Sequence, residues 1–286
     1  MPPLKPGRAN RILGYPADAR LLILNADDFG MCHSVNAAVM RAFQAGVLRS
    51  ASLMPPCPWA LHGAHFLAGH PEHAFGVHMT AISEWPNYRW RPLTPPEAVP
   101  SLVDQDGYFY RFERMQEFFA QLRLDQLERE FRAQIEFVLT AGLKPSHLDW
   151  HCLRVGRRPD LVELMVRLAQ AYGLALRVMG RDQIATLQAR GLPTNDFDFL
   201  DSYGLDPVHK ARKYARLLRE LPAGLSEWAL HPALDSDELL AIEPDGQHNR
   251  QADFDFLVSA QASEIIRAEG IILLDYRALQ PFCAGR

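Results

Sequence analysis

Short apolar runs alternate with longer amphipathic stretches along most of the chain, a pattern typical of βαβ units. Because helical stretches separate most of these runs, the pattern predicts a closed or nearly closed α/β barrel of about seven parallel strands. The predicted strands cover residues 21–26, 50–54, 75–80, 146–151, 174–178, 228–231 and 271–276.

Three amphipathic stretches predict helices that end at a glycine, the residue favoured just beyond a helix. They cover residues 34–45, a segment from about residue 125 to Gly142, and a segment that opens at Pro159 and closes at Gly173. Residues 82–114, rich in Pro, Trp and Tyr, break the alternation after the third strand. We interpret them as an inserted loop or hairpin, placed where barrel loops form the substrate wall.

Composition narrows the class of protein. Hydrophobic residues make up 48% of the 286 residues and charged residues 22%, as in ordinary globular proteins, so residues 1–286 are predicted to form one barrel domain. A net charge of −4 offers no basic surface for nucleic acid. No apolar run has the length of a membrane span and no signal peptide is recognisable, which predicts a cytoplasmic protein. The four scattered cysteines predict reduced thiols.

Two adjacent carboxylates, Asp27 and Asp28, follow the first predicted strand. Ligands gather at the carboxyl ends of parallel strands, and neighbouring carboxylates repel each other unless a cation or a shared proton relieves them. One aspartate can therefore bind a metal ion while the other handles a proton. The alternative is that an aspartate caps the helix that follows.

Two further predicted strands carry polar side chains on one face. Period two aligns His78 with Thr80, and it aligns His147 with Asp149 and His151. Ionisable side chains on one face are costly in a dry core, so a functional site is the better explanation.

Together, Asp28, His78 and His151 make a facial set that suits a divalent ion, and zinc, magnesium and iron all fit these ligand types. Asp149 or His147 would orient the ring of His151. His231 also ends a predicted strand, where it either donates a proton to a leaving group or is a structural histidine held by Pro232.

Four ordered motifs resemble those of the YdjC/ChbG-like carbohydrate deacetylases over roughly residues 20–280. The motifs are Asn25-Ala26-Asp27-Asp28-Phe29-Gly30, Gly76-Val77-His78-Met79-Thr80, His147-Leu148-Asp149-Trp150-His151 and His231-Pro232-Ala233. The resemblance implies an irregular TIM-like (β/α) barrel, one divalent metal ion (Mg or Zn) and removal of acetyl groups from an N-acetylated sugar or oligosaccharide. It also implies that Asp28, His78 and His151 bind the metal, that Asp27 is the general base and that His231 is the proton donor.

The chain departs from the family pattern at the fourth motif. Many relatives continue it as His-x-Asp-x-His-His-x-His, whereas Cys152, Leu153 and Arg154 follow His151 here. The ligand positions survive, so the departure bears on substrate contacts.

The aromatic residues of the insertion, Trp85, Tyr88, Trp90 and Tyr108, fit stacking on sugar rings, core packing or a contact within a homodimer.

Two other functions compete with the deacetylase. Arg154, Arg157 and Arg158 give some support to another metal-dependent hydrolase, such as a phosphoesterase. A non-catalytic sugar-binding protein is the third hypothesis, but retention of both Asp27 and Asp28 argues against it, because binding alone needs only one carboxylate.

Overall fold

A computed structural model gives the structure of residues 7–153 and 158–283. Its described strands pair in parallel throughout and form one curled sheet. The strands are β1 (Arg20–Phe29), β2 (Ser50–Leu53), β3 (Ala74–Met79), β4 (His147–Trp150), β5 (Ala175–Leu176), β6 (Leu200–Asp201), β7 (Gly224–Leu230) and β8 (Ile272–Leu274).

The strand order is β5-β4-β3-β2-β1-β7-β6, and β8 pairs with the first half of β1. The sheet therefore curls round from β5 to β6, and these two end strands do not pair within the described residues. The predicted irregular TIM-like barrel of parallel strands is confirmed. All seven predicted strands are present, and the structure adds an eighth, the two-residue strand β6.

Helices connect most of the strands. They are α1 (Arg8–Leu13), α2 (His33–Ala45), α3 (Ala60–Gly69), α4 (Met115–Gln121), α5 (Leu124–Thr140), α6 (Pro159–Tyr172), α7 (Arg181–Ala189), α8 (Lys210–Arg219), α9 (Asp237–Ile242), α10 (Gln247–Val258) and α11 (Ala260–Ala268). Among the described helices, none combines the length and apolar composition needed to cross a bilayer.

The three predicted helices correspond to α2, α5 and α6. Gly46 and Gly173 follow α2 and α6 with φ angles of 102° and 64°, which only glycine adopts at little cost. The apolar stripe of α5 is buried, and α5 packs against β3. The sequence period thus identified which face of this helix covers the sheet.

The insertion between β3 and β4 is a loop rather than a hairpin of strands. It contains short 3₁₀ turns, including Pro96–Ala98 and Phe112–Arg114, and isolated bridges, one of them between Val103 and Phe109. Trp90 is buried within it and donates its ring N–H to the carbonyl of Ile82. Tyr88 of this segment donates its hydroxyl to the carbonyl of Met31, just after β1, and the segment leads into α4.

Candidate active site

The carboxyl ends of β1, β3 and β4 bring three predicted site residues together. Oδ1 of Asp28 lies 3.4 Å from Nε2 of His78 and 3.1 Å from Nδ1 of His151. All three side chains are buried, and one ligand atom from each lies within 4.8 Å of the others. An oxygen and two imidazole nitrogens therefore converge on one point.

The backbone of β1 explains how neighbouring aspartates enter one cavity. In a regular strand their side chains would point to opposite faces. The pairing of β1 with β2 is irregular between Ala26 and Phe29, and Asp28 has a φ of 66°, in the left-handed region. This local kink turns Asp28 toward the cavity beside Asp27. Cys152, next to His151, shares the left-handed conformation, so strain concentrates at this site.

Neither aspartate caps the helix that follows. The residue before α2 is Cys32, and its side chain makes no capping hydrogen bond. The carboxylate of Glu238 accepts hydrogen bonds from the backbone N–H groups of His33 and Ser34 instead. The helix-capping alternative for the Asp pair is therefore wrong.

Asp149 orients His78 and not His151, which corrects the sequence-based expectation. Its Oδ1 lies 2.8 Å from Nδ1 of His78 and so leaves Nε2 of that ring facing Asp28. Burial lowers the pKa of His78, but the Asp149 carboxylate more than offsets this effect and raises the pKa to about 9. His147 lies behind the site, where its ring stacks on Tyr276 at a centroid distance of 3.7 Å.

The ring of His151 has a different carboxylate neighbour, Glu84. Its Nε2 lies 3.1 Å from Oε2 of Glu84, while the thiol of Cys152 donates to Oε1 of the same carboxylate at 3.3 Å. Burial raises the pKa of Cys152 to about 12, so the thiol stays protonated at neutral pH. Glu84 belongs to the insertion, and no pattern in the sequence singled it out.

Asp27 is fixed by a buried arginine from the end of β5. Nη1 and Nη2 of Arg177 donate to the two carboxylate oxygens of Asp27 at 2.7 and 2.8 Å, and Nε donates to Glu227 at 2.6 Å. Asn25 adds a third donor to Asp27 at 2.8 Å. Burial raises the pKa of Asp27, but Arg177 reverses this and the pKa is lowered. Asp27 is thus an ionised carboxylate of fixed orientation.

A second buried arginine contacts Asp28. Nη1 of Arg250, on α10, lies 2.9 Å from Oδ2 of Asp28, and its Nε donates to Glu243 at 2.7 Å. Burial raises the pKa of Asp28, yet Arg250 and the two histidines hold it well below the ordinary value. The two aspartates therefore have separate partners, Arg177 for Asp27 and Arg250 for Asp28.

His231 closes the site on the side of β7. Its Nε2 lies 3.9 Å from Oδ2 of Asp27, and its Nδ1 lies 2.8 Å from the hydroxyl of Ser202. The imidazole is therefore held at one nitrogen and faces the cavity and Asp27 with the other.

These residues line a cavity of about 450 Å³, a volume within the range of small-molecule sites. Four aromatic residues contribute to its apolar wall: Phe112, Trp150, Phe199 and Tyr203. In the described part of the chain, the four aromatic residues singled out in the insertion do not line this cavity, and Trp90 lies in the core. Trp85 and Tyr88 pack against the core, whereas the ring of Tyr108 contacts the guanidinium groups of Arg89 and Arg91.

The donor set of Asp28, His78 and His151 fits a divalent metal ion. One carboxylate and two imidazoles are ligands of zinc and related ions, and carboxylates outnumber guanidinium groups around the cavity. A buried excess of negative charge favours a bound cation. Nε2 of His151 is close to Glu84 but forms no aligned hydrogen bond in the described structure, and Asp149 already orients His78 from behind.

Of the three arginines considered for a phosphoesterase, the one within the described residues, Arg158, does not line the cavity. Arg154 and Arg157 lie outside the described residues, and Arg158 pairs with Asp160 at 2.6 Å at the start of α6.

Residues 21–268 match the family described as YdjC-like protein. The chain belongs to the YdjC-like family. The recognition from the ordered motifs is therefore confirmed, and the match covers every strand that supplies a residue to the site.

Three relatives show how far the similarity of this YdjC-like protein extends. It is 36% identical to a carbohydrate deacetylase of Geobacillus stearothermophilus, over 75% of this chain and 80% of the relative. It is 36% identical to one from Thermus thermophilus, over 82% and 85% of the two chains. The crystal structure of an Enterococcus faecalis V583 protein superposes with a TM-score of 0.80 at 28% identity, covering 91% of this chain and 99% of the other.

Proposed function

We propose that this YdjC-like protein is a metal-dependent deacetylase that hydrolyses the acetamide of an N-acetylated sugar. The observation that supports it most is that Asp27 and His231, whose facing atoms are 3.9 Å apart, line the same cavity as Asp28, His78 and His151. A base and an acid beside a group that can hold a cation match the needs of amide hydrolysis. The names of the relatives support a carbohydrate substrate.

Asp28, His78 and His151 would hold the ion in this proposal. A bound divalent cation would polarise the acetyl carbonyl and make water more acidic. Magnesium and zinc are the ions that we propose to test first. Asp149, hydrogen-bonded to Nδ1 of His78, orients the ring of His78 toward the cation, while Glu84 lies beside Nε2 of His151.

The proton transfers are assigned to Asp27 and His231. Asp27 accepts a proton from the attacking water while the new C–O bond forms at the acetyl carbon. His231, with a proton on each ring nitrogen, then donates the proton on Nε2 to the amide nitrogen as the C–N bond breaks, which releases acetic acid and the free amine. The proton that Asp27 took from water then passes to Nε2 and restores the donor form of the ring. Arg177 keeps Asp27 ionised and fixes its orientation during the first step.

Acetate release tests the function directly. The metal-supplemented protein is incubated with a panel of N-acetylated mono- and oligosaccharides, and free acetate is measured. We expect turnover of at least one substrate by the wild type and none by His78→Ala. Lack of acetate release from every substrate, with metal bound, would contradict the proposal.

The role of His231 is tested by comparing two leaving groups. An amine leaves poorly unless its nitrogen is protonated, whereas an activated aryl acetate expels a stable phenolate without help. His231→Ala should slow amide cleavage by about 10²- to 10⁴-fold and largely spare the aryl ester. An equal loss on both substrates would argue against the acid role.

A further inference from the structure

A buried chain of hydrogen bonds lies behind His231, on the side away from the cavity. The hydroxyl of Ser202 lies 2.8 Å from Nδ1 of His231 and donates to Oδ2 of Asp253 at 2.6 Å. The backbone N–H of His231 donates to the same oxygen at 2.9 Å. Ser202 and Asp253 are fully buried, so water does not compete for these bonds.

Asp253 is surrounded by donors. On α8, the ammonium group of Lys210 donates to its Oδ1 at 2.7 Å, and the hydroxyl of Tyr214 donates to the same atom. Ser202 and the backbone of His231 occupy Oδ2. With donors on both oxygens, the carboxylate acts only as an acceptor.

The hydroxyl of Ser202 has one proton, and it donates this proton in its hydrogen bond to the Asp253 carboxylate. Its oxygen can then only accept a hydrogen bond from the imidazole, so Nδ1 of His231 must carry a proton. The second nitrogen, Nε2, faces Oδ2 of Asp27 at 3.9 Å across the cavity. The chain of bonds thus decides which nitrogen is free to exchange a proton at the reaction centre.

We propose that Ser202 and Asp253 fix His231 in the Nδ1–H tautomer, which makes Ser202 a positioning residue for proton delivery from Nε2. This inference rests on the proposed function in its catalytic part, because delivery to an amine is the step that the tautomer serves. The arrangement differs from a direct imidazole–carboxylate pair, since a serine hydroxyl joins the two groups.

The position of Ser202 in the fold is what couples these groups. It follows β6, which pairs with β7 in register, Leu200 opposite Trp228 and Asp201 opposite Ala229. Ser202 is the next residue after Asp201, and its hydroxyl contacts His231, which lies two residues beyond Ala229 and just past the end of β7. The two-residue strand β6 therefore positions the Ser202 hydroxyl beside Nδ1 of His231, on the side away from the cavity.

Nitrogen-15 NMR of the metal-loaded protein, at a pH where the ring of His231 is neutral, reads the tautomer directly. We expect a protonated Nδ1 and an unprotonated Nε2 in the wild type, and a shift toward the other tautomer in Ser202→Ala. Amide cleavage by Ser202→Ala should fall by about 10- to 100-fold, part of the contribution of a positioned acid, while aryl acetate cleavage changes by less than about twofold. Ser146→Ala is the matched control, because Ser146 is a buried serine 3.0 Å from Nδ1 of another histidine, His147.

The outcomes separate this inference from the proposed function. A protonated Nε2 in the neutral wild-type ring would overturn the tautomer assignment, whatever the activity. Equal losses on amide and ester in Ser202→Ala would overturn the positioning role and indicate a structural one. A wild type with the expected tautomer that releases no acetate would reject the deacetylase proposal while supporting the tautomer.

Discussion

At the scale of single residues, the adjacent aspartates are distinguished by their partners. Arg177 donates to both oxygens of Asp27, whereas Asp28 directs Oδ1 to two imidazoles and Oδ2 to Arg250. This difference supports Asp28 as the metal ligand and Asp27 as the base. The residue types alone did not decide between the two aspartates, because both are carboxylates. A carboxylate held in a fork also cannot swing toward the cation without losing two charge-assisted hydrogen bonds.

Asp27→Asn tests that division of roles. The amide keeps the shape of the side chain but does not accept a proton from water at neutral pH, so we expect turnover to fall by about 10²-fold or more. Metal stoichiometry, measured by elemental analysis, should stay at the wild-type value. Loss of the metal together with retained activity would mean that the two aspartates have exchanged roles.

At the scale of elements, the sequence predicted those site residues that lie on strands with a clear alternation of polar and apolar side chains. β3 and β4 alternate polar and apolar side chains, and this alternation alone places His78, Asp149 and His151 on polar strand faces. Arg177 left a weaker signal, a charged side chain inside a predicted buried strand. Arg250 gave none, because its helix, α10, is polar on several sides and only the fold brings it to Asp28.

The exact partners were not predictable because they depend on tertiary contacts between distant segments. Asp149 faces His78 on the neighbouring strand rather than His151 two residues along its own chain. Glu84 reaches His151 from a loop that has no periodic pattern. A period identifies the face of a strand, whereas the choice among neighbours on that face depends on strand register and side-chain rotamers.

The insertion contains a largely buried ion pair between Arg89 and Asp104, which should stabilise the fold. Nη2 of Arg89 lies 2.6 Å from Oδ2 of Asp104, whose side chain is only 4% exposed. Burial raises the pKa of Asp104, but the Arg89 hydrogen bond reverses this, and the pKa is lowered from 3.8. The pair therefore stabilises the fold above pH 3.8, and this stabilisation is lost as the pH falls through the lower, folded-state pKa.

Asp104→Asn should lower the free energy of unfolding at pH 7 by about 1–3 kcal/mol, since the partly buried guanidinium of Arg89 loses its carboxylate partner and keeps, among the described residues, only the carbonyl of Phe109 as a hydrogen-bond acceptor. Denaturant titrations at several pH values should show the wild type and the variant converging as the medium becomes acidic. Asp106→Asn is the control, because Asp106 engages Asp104 and Arg91 through its backbone N–H and carbonyl groups. A difference that stays constant down to acid pH would contradict the ion-pair explanation.

At the scale of the whole molecule, the proposed cation site consists of residues from distant parts of the chain. Asp28 and His151 are separated by more than a hundred residues, yet the curled sheet brings β1, β3 and β4 to one rim. An ion held by all three would bind the folded state and not the unfolded chain. Such an ion would therefore also act as a stabilising crosslink across one side of the sheet.

Thermal unfolding measures this linkage without any substrate. At an ion concentration about 100 times the Kd, binding adds about 2.7 kcal/mol to the stability of the folded state. For a chain of this size that corresponds to a rise in Tm of about 4 to 5 °C, reversed by a chelator. His151→Ala should bind no ion and show no rise, whereas His65→Ala, which removes an exposed histidine of α3, should behave as the wild type. Because Asp28, His78 and His151 are all required, a full rise in any one of their alanine variants would exclude that residue as a ligand.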